Sequence, residues 1–126
     1  MWIFTKYGFY SVVEKAKREG GGSEVHVRSR VREQLEDLCD LCSSLAAEGM
    51  DPAAIEEGTA TDYQYRVRLT RIAWEQVAAK LAQDLDYSNF KGEVHRRGGA
   101  KNSPAYDVYH DQLYMVYQDM IPREIG

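Results

Sequence analysis

The sequence lacks most of the features that would assign a function in advance. Only two of its 126 residues are cysteines and three are prolines. Two cysteines are too few for the disulfide framework of a small secreted domain. No apolar run approaches the roughly 20 residues that a membrane-spanning helix needs, and residues 1–13 contain a lysine and several aromatic rings where a signal peptide is continuously apolar. We therefore expect a cytoplasmic protein with no membrane partner.

An excess of basic residues is lacking as well. The chain has 16 lysine and arginine residues against 20 aspartate and glutamate residues, for a formal net charge of −4. A molecule with this balance is not attracted as a whole to nucleic acid or anionic lipid, so any basic binding surface has to be local. The length, with 44% hydrophobic and 29% charged residues, fits a single domain over residues 1–126 with a modest core.

No motif predicts catalysis, a metal or a cofactor. His26, His95 and His110 are scattered along the chain, and no second CxxC or HxxxH completes a zinc site. An acid–base cluster for phosphodiester cleavage would consist of His110 with Asp111, or of His95 with Glu93 and Arg97. Such spacings arise by chance in any chain of this size, so we expect no metal and no cofactor.

Cys39 and Cys42 form one CxxC, which has two interpretations. In redox enzymes this motif lies at a helix N-terminus, where the thiolate is stabilised. Here the pair falls in the middle of a predicted helix and on its apolar stripe. The spacing therefore predicts two buried, unreactive thiols.

What the sequence does contain is two arginine-rich strands. Residues 24–31 (EVHVRSRV) and 63–70 (YQYRVRLT) alternate apolar and polar side chains with period two, which is typical of half-buried strands. One face of the resulting sheet would meet the core, and the other would carry four guanidinium groups. The predicted core set is Val25, Val27, Val31, Tyr63, Tyr65, Val67 and Leu69, and the opposite set is His26, Arg28, Arg30, Gln64, Arg66 and Arg68.

The arginine face also has two interpretations. Guanidinium groups bind phosphate or carboxylate through two parallel hydrogen bonds, so four of them would attract an anion. Alternatively, the face is solvated and its arginines pair with the carboxylates of neighbouring strands and helices. The 20 acidic residues of the chain supply many such carboxylates.

The remaining segments predict an α+β fold. Residues 2–5 and 9–13 form a hairpin through Lys6, Tyr7 and Gly8, with the glycine at a position of positive φ. We expect a mostly antiparallel sheet of about four strands with helices on one face, of ferredoxin-like type. The other expected elements are amphipathic helices over 31–47 and 70–86, a helical turn after Asp51-Pro52, an extended segment or edge strand over 87–94, a loop over 96–102 and a last helix from Ser103-Pro104.

Aromatic residues on the first hairpin and the last helix are further candidates for binding. Trp2, Phe4 and Tyr10 would make the arginine face suitable for single-stranded nucleic acid if their rings shared it. Their phase is ambiguous, and core packing is the favoured interpretation. Tyrosines at helical spacing on the last helix form either a stripe that binds a partner or the edge of a core; they include Tyr106, Tyr109 and Tyr117.

Four segments, MWIFTKYGFYSVV, VRSRVREQLEDL, DYQYRVRLTRIAW and DYSNFKGEV, resemble a family of small, uncharacterised bacterial and phage proteins. That family has no assigned activity, so the resemblance carries no catalytic or binding residue to this chain. It implies a standalone cytoplasmic protein of bacterial or phage type.

These observations predict a small non-enzymatic binding or interaction protein. The net negative charge favours a protein partner, or a second copy in a homodimer, over nucleic acid. A role as an inhibitor or adaptor of a host complex follows from the resemblance alone. The alternative is an enzyme that processes nucleic acid or nucleotides, with arginines positioning phosphate. The predicted binding residues are His26, Arg28, Arg30, Arg66 and Arg68 on the sheet and Tyr106, Tyr109 and Tyr117 on the last helix.

Overall fold

Five antiparallel strands and two helices make up the first 86 residues in a computed structural model, which describes residues 1–58 and 61–122. The α+β class and the antiparallel sheet are confirmed. Neighbouring strands pair in the order β1-β2-β3-β5-β4. The strands are β1 (Trp2–Thr5), β2 (Gly8–Ala16), β3 (Ser23–Ser29), β4 (Glu56–Glu57) and β5 (Tyr65–Leu69).

The first hairpin forms as the sequence predicts. Its turn leads into Gly8, which has a φ of 155°. The Thr5 hydroxyl oxygen accepts hydrogen bonds from the backbone N–H groups of Tyr7 and Gly8, both at 3.1 Å. A side chain on Gly8 would overlap Gln34, so this position requires glycine for space as well as for its backbone angle.

One face of the sheet packs on α1 (Arg32–Leu41) and α2 (Arg71–Gln83) to form the core. The alternating apolar residues of β3 and β5 point into it, as predicted. Thr70 caps α2, because its hydroxyl accepts a hydrogen bond from the Ala73 backbone at 3.1 Å. The buried side chains include Tyr10, Val12, Val25, Val27, Leu35, Leu38, Val67, Leu69, Trp74 and Val77.

Two predictions for this unit are wrong in detail. The helix predicted over 31–47 ends at Leu41, where Cys42 closes it with its N–H donating to the carbonyls of Leu38 and Cys39 at 3.2 and 3.1 Å. Tyr63 does not face the core with the apolar set. Because β5 begins only at Tyr65, the strand alternation does not extend back to Tyr63.

The chain from Tyr87 onward forms a second compact unit of two helices, α3 (Phe90–Lys101) and α4 (Pro104–Met120). The predictions of an extended segment over 87–94 and a loop over 96–102 are therefore wrong. Asn89 caps α3 by accepting a hydrogen bond from the Gly92 backbone at 3.0 Å. Asn102 ends α3 in the left-handed conformation, with a φ of 50°.

Glycine is required inside α3 by helix packing. A Cβ atom on Gly98 would lie 3.0 Å from the Cβ atom of Tyr106 on α4. The two helices approach each other closely at this point, because Gly98 has no side chain. The same glycine is one reason why the sequence pattern favours a loop here. The prediction of a single domain is not tested by this division into two units and stays a prediction.

Candidate binding face on the sheet

The face of the sheet opposite α1 and α2 carries a continuous cross-strand row of side chains. Residues in register on neighbouring strands share a face. Strands lie about 4.8 Å apart, so the backbone positions of Trp2 and Arg66, three strand spacings apart in this row, are separated by about 14 Å. From β1 to β4 the row consists of Trp2, Ser11, Arg28, Arg66 and Glu56.

Aromatic rings occupy the β1 end of this face. Phe4 and Phe9 are cross-strand partners whose rings stack with their centres 4.8 Å apart. Trp2 meets the edge of Phe9 at 5.7 Å and is 68% exposed. The sequence leaves open which face of the sheet these rings occupy. Trp2 and Phe4 lie on the arginine-bearing face and not in the core, whereas Tyr10 is fully buried on the opposite face.

Tyr63 joins the rings to the arginines. Its ring centre lies 6.2 Å from that of Phe9. The guanidinium carbons of Arg28 and Arg30 lie 4.7 and 5.3 Å from the same ring centre, within the range of cation–π attraction. We call the set Trp2, Phe4, Phe9, Tyr63, Arg28, Arg30 and Arg66 the arginine–aromatic face.

His26 lies under the arginines in a hydrogen-bonded chain. Arg66 Nη1 lies 3.1 Å from His26 Nδ1, and His26 Nε2 lies 3.0 Å from Glu24 Oε1. Because an arginine can only donate, Nδ1 accepts and the ring proton is on Nε2. Burial lowers the pKa of His26, although the hydrogen bond that its ring donates to the Glu24 carboxylate opposes this shift. With both nitrogens occupied and only 4% of its surface exposed, this ring is unavailable as an acid or base.

The arginines differ in how their charge is balanced. Arg68 pairs with Glu56 at 2.6 Å and with Glu24 at 3.2 Å, as the interpretation of a solvated, ion-paired face requires. Among the described residues, no carboxylate lies within ion-pair distance of Arg28, Arg30 or Arg66. Two arginines of the sheet, Arg28 and Arg66, and Arg30 just after β3 thus have no carboxylate partner within residues 1–58 and 61–122.

The hydrogen-bonding groups of Arg28 are only partly satisfied, and Arg66 lies among like charges. Arg28 Nη2 donates to the Ser11 hydroxyl at 2.7 Å, but its buried Nε has no hydrogen-bond acceptor in the described part of the chain. Burial, followed by the charges of Arg28 and Arg68, lowers the pKa of Arg66. A positively charged group held among like charges interacts favourably with any anion that reaches it.

A cavity of about 480 Å³ extends this basic surface toward the end of the sheet. Four cationic side chains line it, together with the two carboxylates of β4, Glu56 and Glu57. The cationic residues are Lys15, Arg18, Arg66 and Arg68. The described lining of this cavity contains both cationic and carboxylate side chains and no histidine.

The predicted tyrosine stripe on the last helix is only partly available. Tyr106 and Tyr109 are buried, at 0% and 2% exposure, so they form part of a core and not of an exposed stripe. This corrects their assignment as surface binding residues. Tyr117 is 53% exposed, and the Lys91 ammonium lies 4.2 Å from its ring centre. A binding role for Tyr117 stays a prediction.

The cysteines have the properties of buried thiols. Cys39 and Cys42 are 2% and 1% exposed and are not bonded to each other. Burial raises the pKa of Cys39 to about 12 and that of Cys42 to about 11, the opposite of what a redox thiol needs. Within residues 1–58 and 61–122, no group of three or more metal-ligating side chains could hold a metal ion.

The other two histidines lie in the second unit. His95 and His110 face each other across α3 and α4 with ring centres 5.2 Å apart. Glu93 pairs with Arg96, and His110 Nδ1 lies 3.8 Å from the exposed carboxylate of Asp111. That distance is too long for a hydrogen bond that would orient the imidazole ring.

Comparison with known proteins finds no matching family model, no matching curated protein and no matching solved structure. Among the described residues, no helix combines the length and apolar character needed to cross a membrane.

Proposed function

We propose that this chain is a small non-enzymatic binding protein that holds an anionic partner on the arginine–aromatic face. One observation carries the proposal: Arg28, Arg30 and Arg66 lack carboxylate partners among the described residues and lie beside accessible rings on a face that neither α1 nor α2 covers. Bidentate contacts to carboxylate or phosphate are the interactions that such groups make most strongly.

Binding is favoured over catalysis by the state of His26. His26 is the histidine beside the arginines, and both of its ring nitrogens are engaged by Arg66 and Glu24. A general acid or base has to reach the proton that it transfers. The arginines therefore support recognition of an anion, and His26 is not placed to act as an acid or base on it.

The net charge of the chain does not oppose this proposal. At physiological ionic strength the Debye length is about 8 Å, so acidic residues further away than this have little effect on an anion at the arginines. The three arginines act at contact distance, where their own charges dominate. A protein, a second copy of the chain and a polynucleotide all offer suitable anions, and a role as an inhibitor or adaptor remains compatible with any of them.

Charge reversal tests the proposal. The variant Arg28→Glu with Arg66→Glu has a net charge of −8, because each exchange removes two units from the −4 of the wild type. The matched control, Arg32→Glu with Arg71→Glu, has the same net charge but changes arginines on α1 and α2, which are 44% and 67% exposed. We expect the wild type and the control to be retained on immobilised heparin at low salt and the sheet variant to pass through.

Thermal melts accompany the retention measurement. The control loses two exposed ion pairs, with Glu36 and Glu75, that contribute about 0–1 kcal/mol each, so it should melt near the wild type. The sheet variant loses the contacts of Arg28 with Ser11 and Tyr63 and the hydrogen bond of Arg66 to His26, so it should melt lower but remain folded. Equal retention of the sheet variant and the control would contradict the proposal. If the sheet variant alone unfolds, the single exchange Arg30→Glu, at an exposed position, replaces it in the comparison.

A further inference from the structure

We infer that the anionic partner is single-stranded nucleic acid, with bases stacking on Trp2 and Phe4 and phosphates contacting Arg28, Arg30 and Arg66. This inference rests on the proposed binding function of the arginine–aromatic face. It begins from the placement of rings and guanidinium groups in one cross-strand row. A nucleic acid strand offers the same two chemistries in alternation, a flat base and a charged phosphate.

The rings are presented as a stacking surface. Trp2 is 68% exposed although it contacts Phe9 at 5.7 Å, so the indole is held in place on one side and open on another. Phe4 stacks on Phe9 and is half-buried. Every base has an aromatic face, so such a surface binds single strands with little regard to sequence.

The spacing between Trp2 and the two arginines suits an extended single strand of nucleic acid. Arg28 is two strands away from Trp2 in the row, about 10 Å at the usual strand spacing, and Arg66 is one strand further. An extended polynucleotide that stacks a base on Trp2 can place its next phosphates over Arg28 and Arg66. The cavity beyond Arg66 adds Lys15 and Arg18 to the same path.

Other anions use only part of this surface. A duplex presents phosphates, but its bases are stacked inside and leave the rings without a partner. An acidic protein segment would satisfy the arginines and leave Trp2 largely exposed. Of these three partners, single-stranded nucleic acid is the one whose bases and phosphates contact the rings and the guanidinium groups together.

The test measures binding of the full chain to three fluorescein-labelled probes by fluorescence anisotropy. The probes are a 12-nucleotide oligothymidylate, a DNA duplex of the same length and a polyglutamate peptide of 12 residues. We expect the single strand to bind best, with a log–log salt slope of about −2, because three phosphate contacts at about −0.7 each give that value. Intrinsic fluorescence should be quenched on binding, since the chain has two tryptophans and Trp74 is 9% exposed in the core.

Variants separate stacking from charge. Trp2→Ala should weaken single-strand binding about tenfold, in line with about 1–3 kcal/mol per stacked base. Trp2→Phe should retain most of the affinity but lose most of the quenching. The control Ile72→Ala removes another exposed apolar side chain, 70% exposed on α2, and should change nothing. The Arg28→Glu and Arg66→Glu double variant should bind at least a hundredfold more weakly, with any residual binding less dependent on salt. The Arg32→Glu and Arg71→Glu control should bind like the wild type.

Four results would overturn the inference, and they differ in which part of the proposed function they still support. Equal affinity for duplex and single strand, or no effect of Trp2→Ala, would leave an anion-binding face without base recognition. Tighter binding of polyglutamate would leave an acidic protein segment as the partner. The absence of binding to all three probes, together with equal heparin retention of both double variants, would overturn the proposed function as well.

Discussion

The guanidinium carbon of Arg28 lies 4.7 Å from the centre of the Tyr63 ring, on the face of the sheet that α1 and α2 leave uncovered. Arg30 approaches the same ring at 5.3 Å. Tyr63 thus holds two like-charged groups close together by offering its electron-rich face to both. Since Tyr63 precedes β5 in a loop, this contact also fixes the loop against the sheet.

Replacement of Tyr63 should reveal this role. Tyr63→Phe keeps the ring face and should leave the free energy of unfolding within a few tenths of a kcal/mol. Tyr63→Leu loses two cation–π contacts worth about 0.5–1 kcal/mol each and should lower stability by about 1–2 kcal/mol. Urea denaturation measures both. Equal losses in the two variants would attribute the effect to the hydroxyl group and not to the ring.

The phase of the arginines could be predicted from the sequence, because period-two alternation in β3 and β5 leaves one arrangement that buries the valines. The phase of Trp2 and Phe4 could not. β1 and the start of β2 are apolar on both faces, so no polar position marks the open side. The burial of Tyr10 and the exposure of Trp2 follow from which face α1 and α2 cover, and a single sequence does not contain that information.

The sequence does not predict helix α3, for a different reason. Its sequence contains Gly98 and Gly99 and follows a stretch with strand-like residues, so local propensity argues against a helix. Tertiary packing overrides that propensity, because Gly98 lets α4 approach closely. Tyr63 is another residue whose local pattern does not decide its environment. The alternation of YQYRVRLT begins at Tyr63, two residues before β5 begins at Tyr65.

The buried thiols should react slowly. Because burial raises the pKa of Cys39 to about 12 and of Cys42 to about 11, little thiolate is present at neutral pH. We expect alkylation by iodoacetamide at pH 8 to be about a hundredfold or more slower in the native protein than in urea. Mass spectrometry measures the extent of alkylation over time, and rapid modification of the native protein would support a redox role.

Replacing both cysteines with alanine should lower the free energy of unfolding by about 1–3 kcal/mol through lost apolar burial.

Acid should weaken the network beneath the arginines. Burial lowers the pKa of His26 from its usual value of 6.5, so the unfolded chain takes up a proton at a higher pH than the native one. Its contribution to stability is therefore present above about pH 6.5 and is lost as the pH falls through the native pKa. Protonation would also remove the acceptor that Arg66 uses and add a like charge beside it.

Urea denaturation at a series of pH values from 7.5 to about 5 measures this effect. The wild type should lose stability across that window, and His26→Gln should show a smaller loss because its amide does not titrate. An NMR titration of the His26 ring should give a pKa below 6.5. A ring that titrates above that value would show that Glu24, and not burial, dominates its surroundings.

The two adjacent glycines of α3 should respond in opposite directions to the same exchange. Gly99 has open space where a Cβ atom would be added, whereas a Cβ atom on Gly98 would lie 3.0 Å from that of Tyr106. Glycine in a helix interior costs about 0.5–1 kcal/mol relative to alanine, so Gly99→Ala should stabilise the protein by about that amount. Gly98→Ala gains the same propensity but forces α3 and α4 apart, and should be destabilising. Thermal melts followed by circular dichroism measure the difference, and equal stabilisation by both exchanges would mean that the helices do not pack closely at Gly98.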